Sequence, residues 1–310
     1  MQINKVHTSD NTSSTLIRKQ AVSTDNPYFL VAKIPNQTIE AHHLAQAQLG
    51  LEEQGWVLFR GFEHNLDYFN ELVSSFCHKL TFDPAREFSS HMSQKVDAGT
   101  MAVGLHTENG NTPFPPELVA FYSQQSAITG SQTTLCDGVD FYESLPKNLQ
   151  KRFSSPLSVR RTLPEHLWKA YVANEHPKLD SGQVINSQHL EEVLSMVPGQ
   201  SGQLNAQGEL DYCLTISPLQ VNNGRIAFAN ALLGPSFNYQ KPSYQFADGS
   251  YLTQSELDVL ADYAEAHTYE LQWQDGDMIL IDNTRVMHGR RAIEGDPSQR
   301  KLVIAMGRVA

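Results

Sequence analysis

Apolar positions recur along this chain in two rhythms. In "NLDYFNELVSSFCHKL" (65–80), Leu66, Phe69, Leu72, Val73, Phe76 and Leu80 return at helical spacing, and Asn65 is placed to cap the start. "IEAHHLAQAQLGLEEQG" predicts a helix ending at Gly55. "YLTQSELDVLADYAEAH" (251–267) predicts another, with Thr253 and Glu256 in capping-box spacing and Leu257, Leu260 and Ala264 on one face. Residues 139–153 also read as helix. The second rhythm is short and β-prone. "WVLFRGF" (56–62), "GTMAVGLHTENG" (99–110), "ELVAFYSQQ" (117–125), "SQTTLC" (131–136), "YELQWQ" (269–274), "DGDMILIDN" (275–283) and "RKLVIAMGRV" (300–309) are such runs, separated by Gly, Pro and polar turns. Residues 160–220 follow neither rhythm cleanly and read as mixed and loop-rich.

The strand-like runs fall in two blocks, with helices before and between them. Regular βαβ alternation is absent, and no glycine-rich phosphate loop follows a strand. The pattern suits an antiparallel β-barrel or jelly roll with helices packed outside. No linker divides the chain, so one domain is expected over 1–310, with a polar, flexible arm at 1–25 and a lid or insertion at 160–220.

Composition narrows the function. With 310 residues, 40 % hydrophobic and 18 % charged, the sequence is that of a globular protein. A net charge of -11 argues against nucleic acid or an anionic membrane as partner. There is no apolar run of about 18 residues and no apolar signal core. Three cysteines, Cys77, Cys136 and Cys213, have no metal-site spacing and suit reduced thiols in a cytoplasm. The expected partner is a small-molecule substrate, and a homo-oligomer stays open.

Two His-x-Glu spacings occur, His106/Glu108 and His189/Glu191, where about one His-x-acid is expected by chance from 12 His and 34 acids. Local structure separates them. Residues i and i+2 share a face in a strand but lie about 200° apart in a helix. "AVGLHTE" reads as a strand running into a turn, so His106 and Glu108 converge. "SQHLEEVLSMV" reads as a helix, so His189 and Glu191 diverge. A third ligand is supplied by His288, which follows a strand and polar turn in "MILIDNTRVMHGRR". Taken alone, His288 fits a hydrogen-bonded barrel histidine better than a ligand. Together the three offer two imidazoles and a carboxylate on one side of a metal, the facial arrangement of non-haem Fe(II) oxygenases. A metal hydrolase and a non-catalytic ligand-binding barrel share that donor set.

Five segments, in order, carry a resemblance. They are "WVLFRGF", "HTE", "GSQTTLCDG" (130–138), "GDMILIDNTRVMHGR" (276–290) and "QRKLVIAMGRV" (299–309). Over roughly residues 50–310 the chain resembles the taurine dioxygenase-like branch of the Fe(II)/2-oxoglutarate oxygenases, which includes clavaminate synthase. The resemblance implies a double-stranded β-helix (jelly-roll) fold of α+β, mainly β type. It implies Fe(II) held by His106, Glu108 and His288, with 2-oxoglutarate and O₂ as cosubstrates. Thr133 matches the threonine that touches 2-oxoglutarate. Arg300, 12 residues past His288, matches the arginine that holds its far carboxylate. A buried carboxylate needs a forked, charged partner, which favours arginine on chemical grounds as well. Arg308 is a second candidate, for substrate, although it lies further along the strand than the family's usual spacing.

The implied reaction couples decarboxylation of 2-oxoglutarate, giving succinate and CO₂, to oxidation of an unactivated C–H bond. Hydroxylation is expected first, with desaturation or ring closure as alternatives. By the glutamate form of the metal motif, the substrate is expected to be an amino acid or an amino-acid-derived natural-product intermediate. Asn109 and Asn111, in "NGNTPFPPE" just after the metal motif, are candidate substrate contacts; both also suit a turn.

Overall fold

The structure, a computed structural model, describes residues 20–21, 26–83, 85–97, 99–179, 182–235 and 240–309. Apart from 20–21, the arm expected at 1–25 lies outside the described residues.

Strands predominate in a mixed α/β architecture, and two sheets organise it. The larger runs in the order Phe29–Val31, Trp56–Arg60, Met278–Asp282, Leu118–Gln125, Lys301–Arg308, Lys79–Thr81, with Gln94–Lys95 also beside Lys301–Arg308. The smaller runs Gln20–Ala21, Thr268–Leu271, Thr133–Asp137, Val286–Arg290, Val103–His106. Among the described residues the two remain separate hydrogen-bonded sheets and do not close into a barrel.

The continuous apolar runs are explained by burial on both faces. In the Trp56–Arg60 strand, Trp56 and Leu58 face the second sheet, where they join Leu135, Leu271 and Val286. Val57 and Phe59 face the other way, onto Ala47, Leu51, Phe69 and Leu72 of helices Ala41–Glu53 and Leu66–Ser74. Behind the smaller sheet, Cys136 and Met287 pack on Phe141, Leu257, Leu260 and Ala264. The layers are therefore helix, sheet, sheet, helix, each strand burying alternate side chains in different layers.

The predicted caps form. Asn65 accepts a hydrogen bond from the Tyr68 amide, and Thr253 and Glu256 make a reciprocal capping box on helix Gln254–Ala266. The single helix expected over 139–153 is instead two, Gly138–Ser144 and Lys147–Phe153. Pro146 lies between them and pushes Leu145 to extended backbone.

The described residues of 160–220, a stretch expected to be loop-rich, are largely strand and helix. Strands Gln200–Leu204, Leu210–Ile216, Leu157–Leu163 and Ser243–Phe246 form a four-stranded sheet in that order. Helices Glu165–Glu175 and Ser187–Ser195 cover it through Trp168, Val172, Leu190 and Val193. His189 serves helix Ser187–Ser195 as the third residue of a capping box with Asn186, and Glu191 is exposed. No described helix is long and apolar enough to cross a membrane.

Candidate active site

His106 and His288 lie 182 residues apart in the chain and opposite each other in the sheet. The Val103–His106 and Val286–Arg290 strands pair antiparallel with His288 in direct register with His106. Directly opposed residues project from the same face of a sheet, and the two ring centroids stand 4.7 Å apart. Glu108 follows two residues after His106, in the turn that leaves the strand. Its Oε1 lies 3.7 Å from Nε2 of His106 and 3.5 Å from Nε2 of His288.

The backbone of Glu108 is pinned by Asn283. The side chain of Asn283 accepts from the Glu108 amide at 2.8 Å and donates to the carbonyls of Glu108 and Pro116 at 3.0 and 2.8 Å. The carboxylate itself meets Arg86, whose Nη2 donates to both oxygens. Arg86 is built in from behind. Buried Gln94 bonds the amide and carbonyl of Asp83 and the carbonyl of Arg86, and Asp83 stands 3.5 Å from the Arg86 guanidinium.

The electrostatics follow. Burial works to raise the Glu108 carboxyl, but the Arg86 guanidinium and the two histidines outweigh it and hold the group well below the usual carboxylate range. Burial lowers His288, which favours neutral imidazole. Nδ1 of His106 donates to the Gly104 carbonyl at 2.8 Å, which turns Nε2 toward Glu108. Neither ring nitrogen of buried His288 has a hydrogen-bond partner among the described residues.

These features test whether a metal ion fits. The three donor groups can each offer an atom within 4.8 Å of the others. Ligands about 2.1 Å from a shared ion, at right angles, stand about 3 Å apart, close to the separations here. Two imidazole nitrogens and an ionised carboxylate oxygen, one imidazole otherwise unpartnered among the described residues, suit a divalent transition metal.

The cavity over these groups has a volume of about 350 Å³ and is also lined by Asn109, Asn111, Thr133, Arg161, Arg290 and Arg300. Thr133 Oγ1 accepts from Trp273 Nε1 at 2.9 Å, so its own proton is available to an anion. Arg300 is pushed down to about 10, by burial first and then by the nearby Arg290. Two guanidinium groups so placed form a pocket that favours a carboxylate. Arg290 is a residue that the motifs alone did not single out. It lies two positions after His288, on the same side of the strand, opposite Thr133. The signal was present in "MHGRR" as strand periodicity. Arg86 had no comparable signal.

Arg308 does not line this cavity. It ends the last strand, over the Phe114 ring and 3.8 Å from Glu175. Asn111 donates through Nδ2 to the Tyr244 hydroxyl, and Asn109 takes a left-handed φ of 53° in the turn.

Comparison with known proteins agrees with this architecture. The profile of the taurine catabolism dioxygenase TauD, TfdA family matches residues 27–306, and the chain belongs to that family. It is a 2-oxoglutarate-dependent dioxygenase that uses Fe(II), with 2-oxoglutarate and O₂ as cosubstrates. It is similar to the dapdiamide synthesis protein DdaC of Enterobacter agglomerans, at 24 % identity over 278 residues, covering 82 % of this chain and 83 % of that protein. Among solved structures it shares its fold with a taurine dioxygenase from Burkholderia xenovorans (TM-score 0.59, 13 % identity, 93 % and 88 % of the two chains). It shares it also with AAD-2 in complex with Mn(II) and N-oxalylglycine (TM-score 0.55, 12 % identity, 94 % and 96 %).

Proposed function

We propose that His106, Glu108 and His288 hold the iron of this dioxygenase, that Thr133 and Arg300 hold the far carboxylate of 2-oxoglutarate, and that the enzyme hydroxylates an unactivated C–H bond. The substrate class is an amino acid or an amino-acid-derived natural-product intermediate. One observation carries the reading: His106 and His288 are in direct register across neighbouring strands, with Oε1 of Glu108 within 3.7 Å of both Nε2 atoms. Glutamate as the carboxylate ligand, and similarity to a protein named for dapdiamide synthesis, support the substrate class.

The chain's residues divide the work. His106 presents Nε2 because Nδ1 is tied to Gly104. Asn283 fixes the Glu108 backbone, and Arg86 takes up charge on the carboxylate. Arg300 and Thr133 orient the cosubstrate from the far side of the cavity. Iron, when bound, supplies the redox chemistry that couples 2-oxoglutarate decarboxylation to C–H oxidation. The two facing sheets are read as the halves of a jelly roll, in one domain spanning the chain, with 160–220 as an insertion covering the mouth.

The test is succinate formation from 2-oxoglutarate by the Fe(II)-loaded protein across a panel of amino acids and their conjugates, with products read by mass. A product about 16 mass units heavier than its substrate, matched by succinate, is expected. Under anaerobic conditions Fe(II) and 2-oxoglutarate should give a visible charge-transfer band that Glu108→Ala largely removes. A band unchanged by that substitution would refute the ligand assignment.

A further inference from the structure

Beside the metal cavity lies a second chamber of about 100 Å³, and Asp83, Asn109, Asn111, Thr112 and Arg161 line both. Its outer wall belongs to the 160–220 segment. Tyr171 and Tyr212 line it while their hydroxyls both reach Gln200 Oε1, at 3.0 and 2.9 Å. The phenol groups are thus committed to Gln200, and Leu163 and Leu167 add an apolar surface.

Two charged side chains differ from this lining. Arg161, on strand Leu157–Leu163, stands where the two cavities meet and is fixed there by an Nη2 bond to the Asn111 carbonyl at 2.8 Å. Glu175 ends helix Glu165–Glu175 and lines the chamber alone. Its carboxylate is 13 % exposed, accepts from Asn174 at 2.9 Å and has Arg308 only at 3.8 Å. Burial raises this carboxyl, and Arg308, the Asn174 bond and the more distant Lys79 only partly offset it. The other acid in the wall, Asp83, is already committed to the Ala85 amide and to Arg86.

Resting on the proposed function and narrowing it, we propose that this chamber is the specificity site and takes the charged head of a free amino acid. Arg161 holds the carboxylate and Glu175 the ammonium, and the side chain runs past Asn109 and Asn111 to the metal. A fixed guanidinium and a poorly compensated carboxylate, opening on one small chamber, complement a zwitterion; a purely anionic substrate leaves Glu175 buried beside like charge. Arg308 acts here only through Glu175. The arrangement also gives residues 160–220 a role, because both charged contacts to the amino-acid head come from their strand and helix.

The experiment uses the full chain loaded anaerobically with Fe(II) and 2-oxoglutarate. The twenty standard L-amino acids are titrated by calorimetry, each with its methyl ester and N-acetyl derivative, and the charge-transfer band is recorded in parallel. At least one free amino acid is expected to bind, with ester and N-acetyl forms each at least about tenfold weaker. Arg161→Gln should erase the preference for acid over ester, and Glu175→Gln the preference for amine over N-acetyl. Arg161→Lys should keep part of the first preference. Retained 2-oxoglutarate binding in each variant shows that the fold is intact. If esters bind as well as acids, if the variants keep both preferences, or if no amino acid binds, the chamber assignment is overturned. Absence of the band refutes the metal reading instead, and the calorimetric preferences still judge the chamber.

Discussion

Arg86 offers one guanidinium nitrogen to both oxygens of Glu108, at 3.0 and 3.2 Å. A carboxylate that gives one oxygen to a metal still has the other to satisfy, and Arg86 is placed to take it. Arg86→Gln is expected to weaken Fe(II) or Zn(II) binding by about tenfold to a hundredfold, with Arg86→Lys restoring part of it. Competition with a coloured chelator measures this. Equal affinities in all three proteins would show that Arg86 serves only packing.

Arg300 should act on the cosubstrate and not on the metal. Arg300→Met is expected to raise the KM for 2-oxoglutarate at least about tenfold, since a buried carboxylate loses its charged partner. Metal affinity should stay as in the parent protein. A fall in metal affinity with unchanged KM would move Arg300 out of the 2-oxoglutarate site and leave Arg290 as the better anchor.

Gly289 lets the histidine strands meet. A Cβ there would sit 2.6 Å from the Val103 carbonyl oxygen and 2.7 Å from Thr134 Oγ1, and one of these contacts is to backbone. Gly289→Ala should therefore cost about 1–3 kcal/mol and lower Tm by several degrees. It should also weaken metal binding, because strand separation moves His288 away from His106. Scanning calorimetry with and without Zn(II) tests both parts; an unaltered Tm would show that the sheet absorbs the methyl group freely.

The capping box on helix Gln254–Ala266 gives a pH-dependent stability. Burial acts to raise the Glu256 carboxyl, but the Thr253 amide, the Thr253 hydroxyl and Arg152 together hold it below its ordinary value. A depressed folded value means the contribution is present above the unfolded pKa, about 4.3, and is lost as pH falls through the folded one. Glu256→Gln should thus lower stability by about 0.5–1 kcal/mol at pH 7, with the gap closing below about pH 4. Denaturant melts at several pH values read it, and a constant gap would mean that charge on Glu256 contributes nothing.

Local rules carried much of this structure and then stopped at identifiable places. Helix caps at Asn65 and Thr253 and the strand runs at 56–60, 118–125 and 278–282 were legible because each depends on residues close in sequence. The strands at 157–163 and 210–216 were overlooked, although "LSVRRTL" and "LDYCLTI" alternate buried and more exposed positions near their starts. Charged and polar residues on their open face hid that alternation. Around the site, His106, Glu108 and His288 were legible as types, and the structure brings them together. Arg86 and Asn283 were not. Their roles depend on Gln94 holding Asp83 and Arg86 beside the site and on Asn283 crossing Glu108, and neither contact leaves a mark in spacing.

In the proposed iron site, the direct register of His106 with His288 ties metal uptake to correct assembly. Strand slippage by one position turns an imidazole to the opposite side of the sheet, so only a fully zipped chain can chelate, and a misaligned one stays empty. Free iron should then raise the melting temperature of the finished protein, with stability climbing as the logarithm of the free ion.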